Sequence, residues 1–257
     1  MQKRPRIIVF SDLDGTLLDH ATYRWDSAAG VVARVLGAGH GLVLATSKTA
    51  AEVVVIRAEL GAAAWPAIVE NGGGILAPGA SAQTDHSVYH KIRDAIPQLP
   101  PGFVGFGDMT VDEVAEATGL SRQAAEGAKA RCFSEPGTWT GSLEELDLFL
   151  AALNTFGLVA QRGGRFLTLS FGGTKADRMA EITALYRPDR TIALGDAPND
   201  VAMLEQADHG VIIANPGGKT IPPLVGEETG QIQRTLMHGP AGWSAALGNL
   251  LDALGSS

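Results

Sequence analysis

The run Ile7-Ile8-Val9-Phe10, ended by Ser11-Asp12-Leu13-Asp14-Gly15-Thr16, constrains the fold of this chain more than any other stretch. Four apolar residues bounded by polar ones suit a short strand buried on both faces, as in the middle of a parallel sheet. Two carboxylates follow where the apolar run stops, which is where open α/β sheets bind ligands. On an extended chain residues i and i+2 point the same way, so Asp12 and Asp14 are placed to face one bound ion. Gly15 permits a sharp turn there and lets a ligand approach the backbone.

The same arrangement recurs along the chain. Gly41–Ala45 reads as a second buried strand, with Thr46, Ser47, Lys48 and Thr49 at its end and a helix over 50–60 beyond. Pro66 to Leu76 reads as strand, glycine turn and strand, Asn71-Gly72 being a hairpin signal. Thr191–Leu194 is another apolar strand, followed by Gly195-Asp196-Ala197-Pro198-Asn199-Asp200, a helix over 201–206 and a strand over 210–213. Asp26 or Ser27 is expected to cap a helix reaching Leu36, Lys175 stands in the first turn of a helix ending near Tyr186, and 243–254 has helical apolar spacing. Between 82 and 171 the pattern changes. Thr110 with Glu113 and Ser142 with Glu145 are capping boxes that open helices, and strands are expected near 103–106, 131–135, 158–161 and 166–169, with Gly163-Gly164 turning between the last two. This order predicts an α/β fold, a doubly wound parallel-sheet core over 1–81 and 172–257 with an inserted α+β cap over 82–171.

The chain of 257 residues is 45% hydrophobic and 19% charged, enough apolar material for a real core. A net charge of -8 leaves no electrostatic case for nucleic acid or an anionic membrane as partner. Cys132 is the only cysteine, which excludes an internal disulfide and suits a reducing compartment. The basic stretch Met1–Arg6 precedes an apolar run too short for a signal peptide, and no segment approaches a membrane span. A cytoplasmic protein is expected, with oligomeric state left open.

Asp12-Leu-Asp-Gly-Thr16 after a strand resembles the first motif of the haloacid dehalogenase-like (HAD) phosphohydrolases, and Gly195-Asp-Ala-Pro-Asn-Asp200 resembles their fourth. The resemblance implies that Asp12 attacks phosphorus and that Asp14 is the general acid/base. It implies that Thr46, at a strand end, binds the phosphoryl oxygens, and that Lys175 offsets charge between nucleophile and phosphate. A cation is otherwise disfavoured at a helix N-terminus, so the Lys175 charge serves something beyond its helix. Mg²⁺ is the implied cofactor, held by Asp12, the backbone carbonyl of Asp14 and Asp196, with Asn199 and Asp200 in support. Glu70-Asn71-Gly72 is similar to the string that precedes the cap in Cof-type members, where the Asn edges the active site.

Longer strings resemble the mannosyl-3-phosphoglycerate phosphatases: Asp12 to His20 with Thr22-Tyr23 and Trp25, Thr46-Ser-Lys-Thr49 with Glu52, Phe106-Gly-Asp-Met-Thr110, and Phe133-Ser-Glu-Pro136. Gly173-Thr-Lys-Ala176 departs from the usual Asp-Lys-Gly, and Cys132 stands where an acidic residue is the norm. The implied substrate is a small phosphorylated sugar-glycerate, hydrolysed to glycosylglycerate and phosphate. Arg131 and Arg165 suit its carboxylate, since a guanidinium binds that group through two parallel bonds. Ser134 and Glu135 are candidates for sugar hydroxyls, Ser47 and Lys48 for anionic groups, and Asn71 for the site's edge. A broader Cof-like sugar-phosphate phosphatase, a phosphohexomutase and a non-catalytic sugar-phosphate sensor are the alternatives.

Overall fold

The computed structural model describes residues 6–83, 85–163 and 165–255. Eleven strands among these residues form two sheets. The larger contains β1 (Ile7–Ser11), β2 (Gly41–Ala45), β3 (Ala67–Val69), β4 (Gly74–Leu76), β9 (Arg190–Gly195), β10 (His209–Ala214) and β11 (Ile232–His238), in the order β11-β10-β9-β1-β2-β3-β4. Every pair is parallel except β3 with β4. The smaller sheet is antiparallel, with β5 (Phe103–Gly105), β6 (Ser134–Trp139), β7 (Val159–Gly163) and β8 (Phe166–Ser170) in the order β5-β6-β8-β7.

Strand periodicity explains why the large sheet is covered on both faces. Val9, Leu42, Leu44, Ile192 and Leu194 pack against Val32, Val53, Trp243 and Leu247 from helices Ala29–Gly37, Ala50–Glu59 and Gly239–Ala253. Their neighbours Ile8, Phe10, Val43, Ala45 and Ala193 face Met179, Ile182, Met203 and Leu204 from helices Lys175–Tyr186 and Val201–Gln206. Alternate residues thus feed two separate cores, the arrangement of a doubly wound sheet. Trp243 is fully buried, and its indole N–H donates to Ser11 Oγ at 2.9 Å. Ser11 Oγ in turn donates to the Asp12 carbonyl at 2.7 Å, tying the last helix to the strand end that carries Asp12.

The small sheet has a third core. Leu146, Phe149 and Leu153 of helix Leu143–Leu153 and Ile92 of helix Ser87–Ala95 pack on Leu167 and Leu169. Phe106 packs with Val114 and Ala125 from helices Val111–Thr118 and Arg122–Lys129. Both expected capping boxes form: Thr110 and Ser142 each accept from the backbone N–H three residues on, and Glu113 and Glu145 accept in return.

Several expectations require correction. Asp26 opens a 3-10 turn instead of capping a helix. Its carboxylate takes Arg24 Nε at 2.8 Å, and the α-helix begins at Ala29 without a side-chain cap. The strand expected at 131–135 lies at Ser134–Trp139, because Arg131, Cys132 and Phe133 are held by groups of the large-sheet region. Pro136 and Gly137 within it hide its strand character from propensity. Helices Ser87–Ala95 and Arg122–Lys129 and strand β11 were not expected, although Ser121 caps the second helix, accepting from Ala124 N. Gly164 of the expected turn and Met1 to Pro5 of the basic stretch lie outside the described residues.

Candidate active site

At the carboxyl end of β1 the backbone turns at Gly15, where φ is +83° and a Cβ would sit 2.8 Å from Asp196 Oδ2, so only glycine fits. The next residue, Thr16, donates its hydroxyl to Asp196 Oδ1 at 2.7 Å. Asp196 therefore stands against the Asp12 loop although β9 delivers it from far along the chain. Asn215, at the end of β10, donates to the other Asp196 oxygen. Adjacent parallel strands bring their ends together, and this converts a sequence separation of 180 residues into a hydrogen bond.

Asp12, Asp196 and Asp200 are all buried and each offers an oxygen within 4.8 Å of the others. Lys175, 1% exposed, reaches into this group, with Nζ 2.5 Å from Asp12 Oδ1 and 2.7 Å from Asp200 Oδ1. Thr174 caps the Lys175 helix, accepting from Asp177 N, which fixes where the lysine starts its reach. Three carboxylates against one ammonium leave an excess of negative charge in a dry place. Burial pushes the Asp12 carboxyl well above the usual range; Lys175 pulls it back, and Asp200 and Asp196 push it further up. Burial raises Asp196 as well. Burial works against the Lys175 ammonium, but Asp12 and Asp200 outweigh it and hold its pKa above the ordinary value. The cluster thus calls for a further positive charge.

The donor set suits a hard divalent cation, which prefers oxygen ligands. Asp12 and Asp196 are the carboxylates best placed to hold one. Asp200 is more constrained: Oδ1 takes Lys175, and Oδ2 accepts the N–H groups of Asp196 at 3.1 Å and Ala197 at 3.0 Å. It orders the lysine and the turn. Asn199, expected beside the ion, donates instead to Asn71 Oδ1 at 3.1 Å.

Asp14 does not join the acidic group with its side chain, contrary to the expectation that both aspartates face one ion. Its Oδ2 meets Lys48 Nζ at 2.9 Å, and its buried Oδ1 has no protein partner. Burial works against the Lys48 charge, but Asp14 and Glu52 outweigh it and raise the pKa. Thr46 is buried at the end of β2, its hydroxyl accepting from Lys48 N at 3.2 Å; the helix cap is Thr49, not Thr46.

A cavity of about 530 Å³ opens between the two sheets, lined on the large-sheet side by Ser47, Lys48, Asn71, Asn199 and Lys219. On the other side Ser134, Pro136, Gln161, Phe166 and Thr168 line it. Register shows why: Gln161 pairs with Thr168 and Gly163 with Phe166, so these share the face opposite Leu167 and Leu169. Ser134 is thus a cavity residue, while Glu135 is not. Glu135 points to the other face, is fully buried, and accepts from Arg93 Nη1 at 3.0 Å and Gly107 N at 2.7 Å. Arg165 is also outside the lining and lies over the Phe166 ring. Arg131 does line the cavity, with Nε donating to the Ala128 carbonyl (2.8 Å) and Nη1 to the Ser47 carbonyl (3.1 Å), which uses two of its five N–H groups. Gln161, Thr168, Lys219, Thr16 and Asn215 went unnoticed in the sequence. Asn215, just beyond the apolar run of β10, obeys the strand-end rule that singled out Asp12 and Asp196.

A family profile for haloacid dehalogenase-like hydrolases matches residues 9–96 and 170–219, more than half of the chain. This chain belongs to the haloacid dehalogenase-like hydrolases. The hydrolase match breaks where β5 to β8 intervene. Solved structures agree in fold. A Thermoplasma acidophilum protein is 14% identical at a TM-score of 0.66, covering 99% of this chain and 100% of that one. A HAD phosphatase of Bacteroides thetaiotaomicron is 19% identical at 0.62, covering 99% and 97%. The sucrose-phosphatase of Synechocystis sp. PCC6803, solved with sucrose and phosphate, is 14% identical at 0.61, covering 95% and 98%.

Proposed function

We propose that this hydrolase is a Mg²⁺-dependent phosphatase acting on a glycosyl-3-phosphoglycerate, the mannosyl compound first and the glucosyl one second. The observation that carries the phosphatase reading is Lys175 bridging Asp12 and Asp200 inside the buried acidic cluster. Two anions must meet when a carboxylate attacks a phosphate, and a fixed ammonium at the nucleophile reduces that repulsion. Asp12 attacks phosphorus and forms an aspartyl phosphate, while the leaving alcohol takes a proton from Asp14. Asp14 then removes a proton from water, which releases phosphate from Asp12. Lys48, bonded to Asp14, holds that carboxylate in place between the two steps. Thr46 and Ser47 hold the phosphoryl oxygens. A bound Mg²⁺, held by Asp12, Asp196 and the Asp14 carbonyl, would neutralise phosphoryl charge.

We place the cap at 82–171 as the domain that selects the substrate. On its cavity face Ser134, Gln161 and Thr168 offer hydrogen bonds and Phe166 a flat apolar surface, a lining suited to a sugar, and Arg131 and Arg162 add positive charge beside them. Lys48 and Lys219 supply positive charge nearer the core, where phosphate and carboxylate would lie. The hydrogen-bonding groups of the cap face equally favour a broader sugar-phosphate phosphatase, in keeping with the sucrose-phosphatase likeness. An assay panel with Mg²⁺ separates them, using mannosyl- and glucosyl-3-phosphoglycerate, hexose phosphates, sucrose 6-phosphate and p-nitrophenyl phosphate. The narrow reading expects kcat/KM for a glycosyl-3-phosphoglycerate to exceed the rest by about 100-fold or more. Equal turnover across the panel overturns it, and conversion of hexose 1-phosphate to 6-phosphate without phosphate release indicates a mutase.

A further inference from the structure

Glu70 takes no part in the chemistry above, yet its carboxylate is buried and fully engaged. Oε1 accepts the Cys132 N–H at 2.8 Å, and Oε2 accepts the Phe133 N–H at 3.1 Å and the Ser134 hydroxyl at 2.7 Å. All three donors stand where the cap chain enters β6. The backbone here is strained: φ is +51° at Glu70 and +57° at Asn71, consecutive left-handed residues that are not glycine. Such conformations persist only where the surroundings over-determine them, and they gather at active sites.

The other side of this turn enters the catalytic centre. Glu70 N donates to the Lys48 carbonyl and Asn71 N to the Thr46 carbonyl, each at 2.9 Å. Asn71 Oδ1 accepts from Asn199, and the Gly72 carbonyl accepts from Arg178 Nε at 3.0 Å. A Cβ on Gly72 would lie 2.2 Å from Thr174 C, so the turn abuts the start of the Lys175 helix. Two more bonds between cap and core land on the same loop: Arg131 Nη1 to the Ser47 carbonyl at 3.1 Å and Thr49 Oγ1 to the Gly127 carbonyl at 2.8 Å.

We infer that Glu70 is a positioning residue that registers the docked cap and transmits that state, through the left-handed 70–71 turn, to Thr46, Lys48 and Asn199. Lifting the cap removes three donors from a buried carboxylate and with them the constraint that holds the turn. The turn then relaxes and the phosphate-binding loop loses its register, so the site is complete only with the lid down. The inference rests on the phosphatase reading for its kinetic consequence alone; the docking contact stands without it.

Cys132 supplies the probe. It is the chain's only cysteine, is 2% exposed, and burial pushes its thiol pKa up to about 11, so it reacts slowly while the cap is docked. Labelling by 5,5′-dithiobis(2-nitrobenzoate) is compared in wild type and Glu70→Gln well below either melting temperature. The expected result is labelling faster by about tenfold or more, with kcat on p-nitrophenyl phosphate lower by about tenfold and KM little changed. Wild-type labelling and wild-type kcat in folded Glu70→Gln overturn the inference, as does faster labelling that merely tracks a lower melting temperature. Should that variant not fold, Ser134→Ala removes one donor and is expected to label at an intermediate rate; a wild-type rate overturns the inference. If the wild-type protein hydrolyses no phosphate ester, the functional reading fails, and the labelling comparison still decides the role of Glu70.

Discussion

A lysine sealed among carboxylates is held by charge and hydrogen bonds, and Lys175 shows how little of this a lone residue reveals. In the sequence it is a cation misplaced at a helix start; in the fold it bridges Asp12 and Asp200. Asp12→Asn removes the nucleophile, and kcat is expected to fall by about 10⁴-fold or more in a steady-state assay. Asp14→Asn removes only the proton carrier, with an expected loss of about 10²- to 10⁴-fold. Loss of activity that is larger for Asp14→Asn than for Asp12→Asn would reverse the two roles. A separate residue contributes to acid sensitivity. His40 is buried with both ring nitrogens unpartnered, and burial first, then the charges of Arg6 and Arg34, lower its pKa from the ordinary 6.5. The unfolded chain therefore takes up that proton before the folded one does. Its contribution to stability is present above pH 6.5 and is lost as pH falls through the lower folded value. Urea midpoints between pH 7.5 and 5.5 are expected to drop more steeply for wild type than for His40→Leu.

Elements place these residues by meeting end to end. Strands β1, β2 and β9 stop at one edge of the sheet, and the Lys175 helix begins there, so Asp12, Thr46, Asp196 and Lys175 converge. The start of that helix is set by the Thr174 capping box and by Gly72 pressed against it. Gly72→Ala puts a methyl into the Thr174 backbone at a residue with φ +94°. We expect a protein that retains its circular dichroism spectrum but loses about 1–3 kcal/mol of stability, with kcat reduced because Lys175 shifts. Wild-type kcat in Gly72→Ala would show that the helix start tolerates displacement. The capping boxes at Thr110 and Ser142 and the apolar β1, β2 and β9 strands were legible because each is signalled within a few residues. Strand β6 was displaced in the reading because Ser-Glu-Pro-Gly has no strand pattern of its own, and its pairing comes from β5 and β8.

At the scale of the whole molecule, a divalent cation held by the acidic cluster would couple to the stability of the fold. A ligand that binds only the folded state stabilises it by mass action, about 2.7 kcal/mol at a concentration of 100 times its Kd. Adding Mg²⁺ to chelator-treated protein is therefore expected to raise the melting temperature, and Asp196→Ala to abolish the rise. An equal rise in Asp196→Ala would place the ion elsewhere. The cavity between the two sheets also exists only at this scale, because it joins strands separated by a hundred residues.

The sequence by itself determined the parallel-sheet core, the strand-end placement of Asp12, Thr46 and Asp196, and the family, since each follows from apolar runs and short strings. Tertiary structure alone decided which side chains share a space. Glu135 left the cavity because strand register, set by partner strands, chooses the face a residue presents, and Arg165, in the turn before β8, lies over the Phe166 ring. Arg131 tied two of its N–H groups to carbonyls, and Asp14 turned to Lys48. Such pairings depend on which segments come to rest beside one another. Local propensity carries no information about that, because the energy of a charged or hydrogen-bonding group lies in its partners.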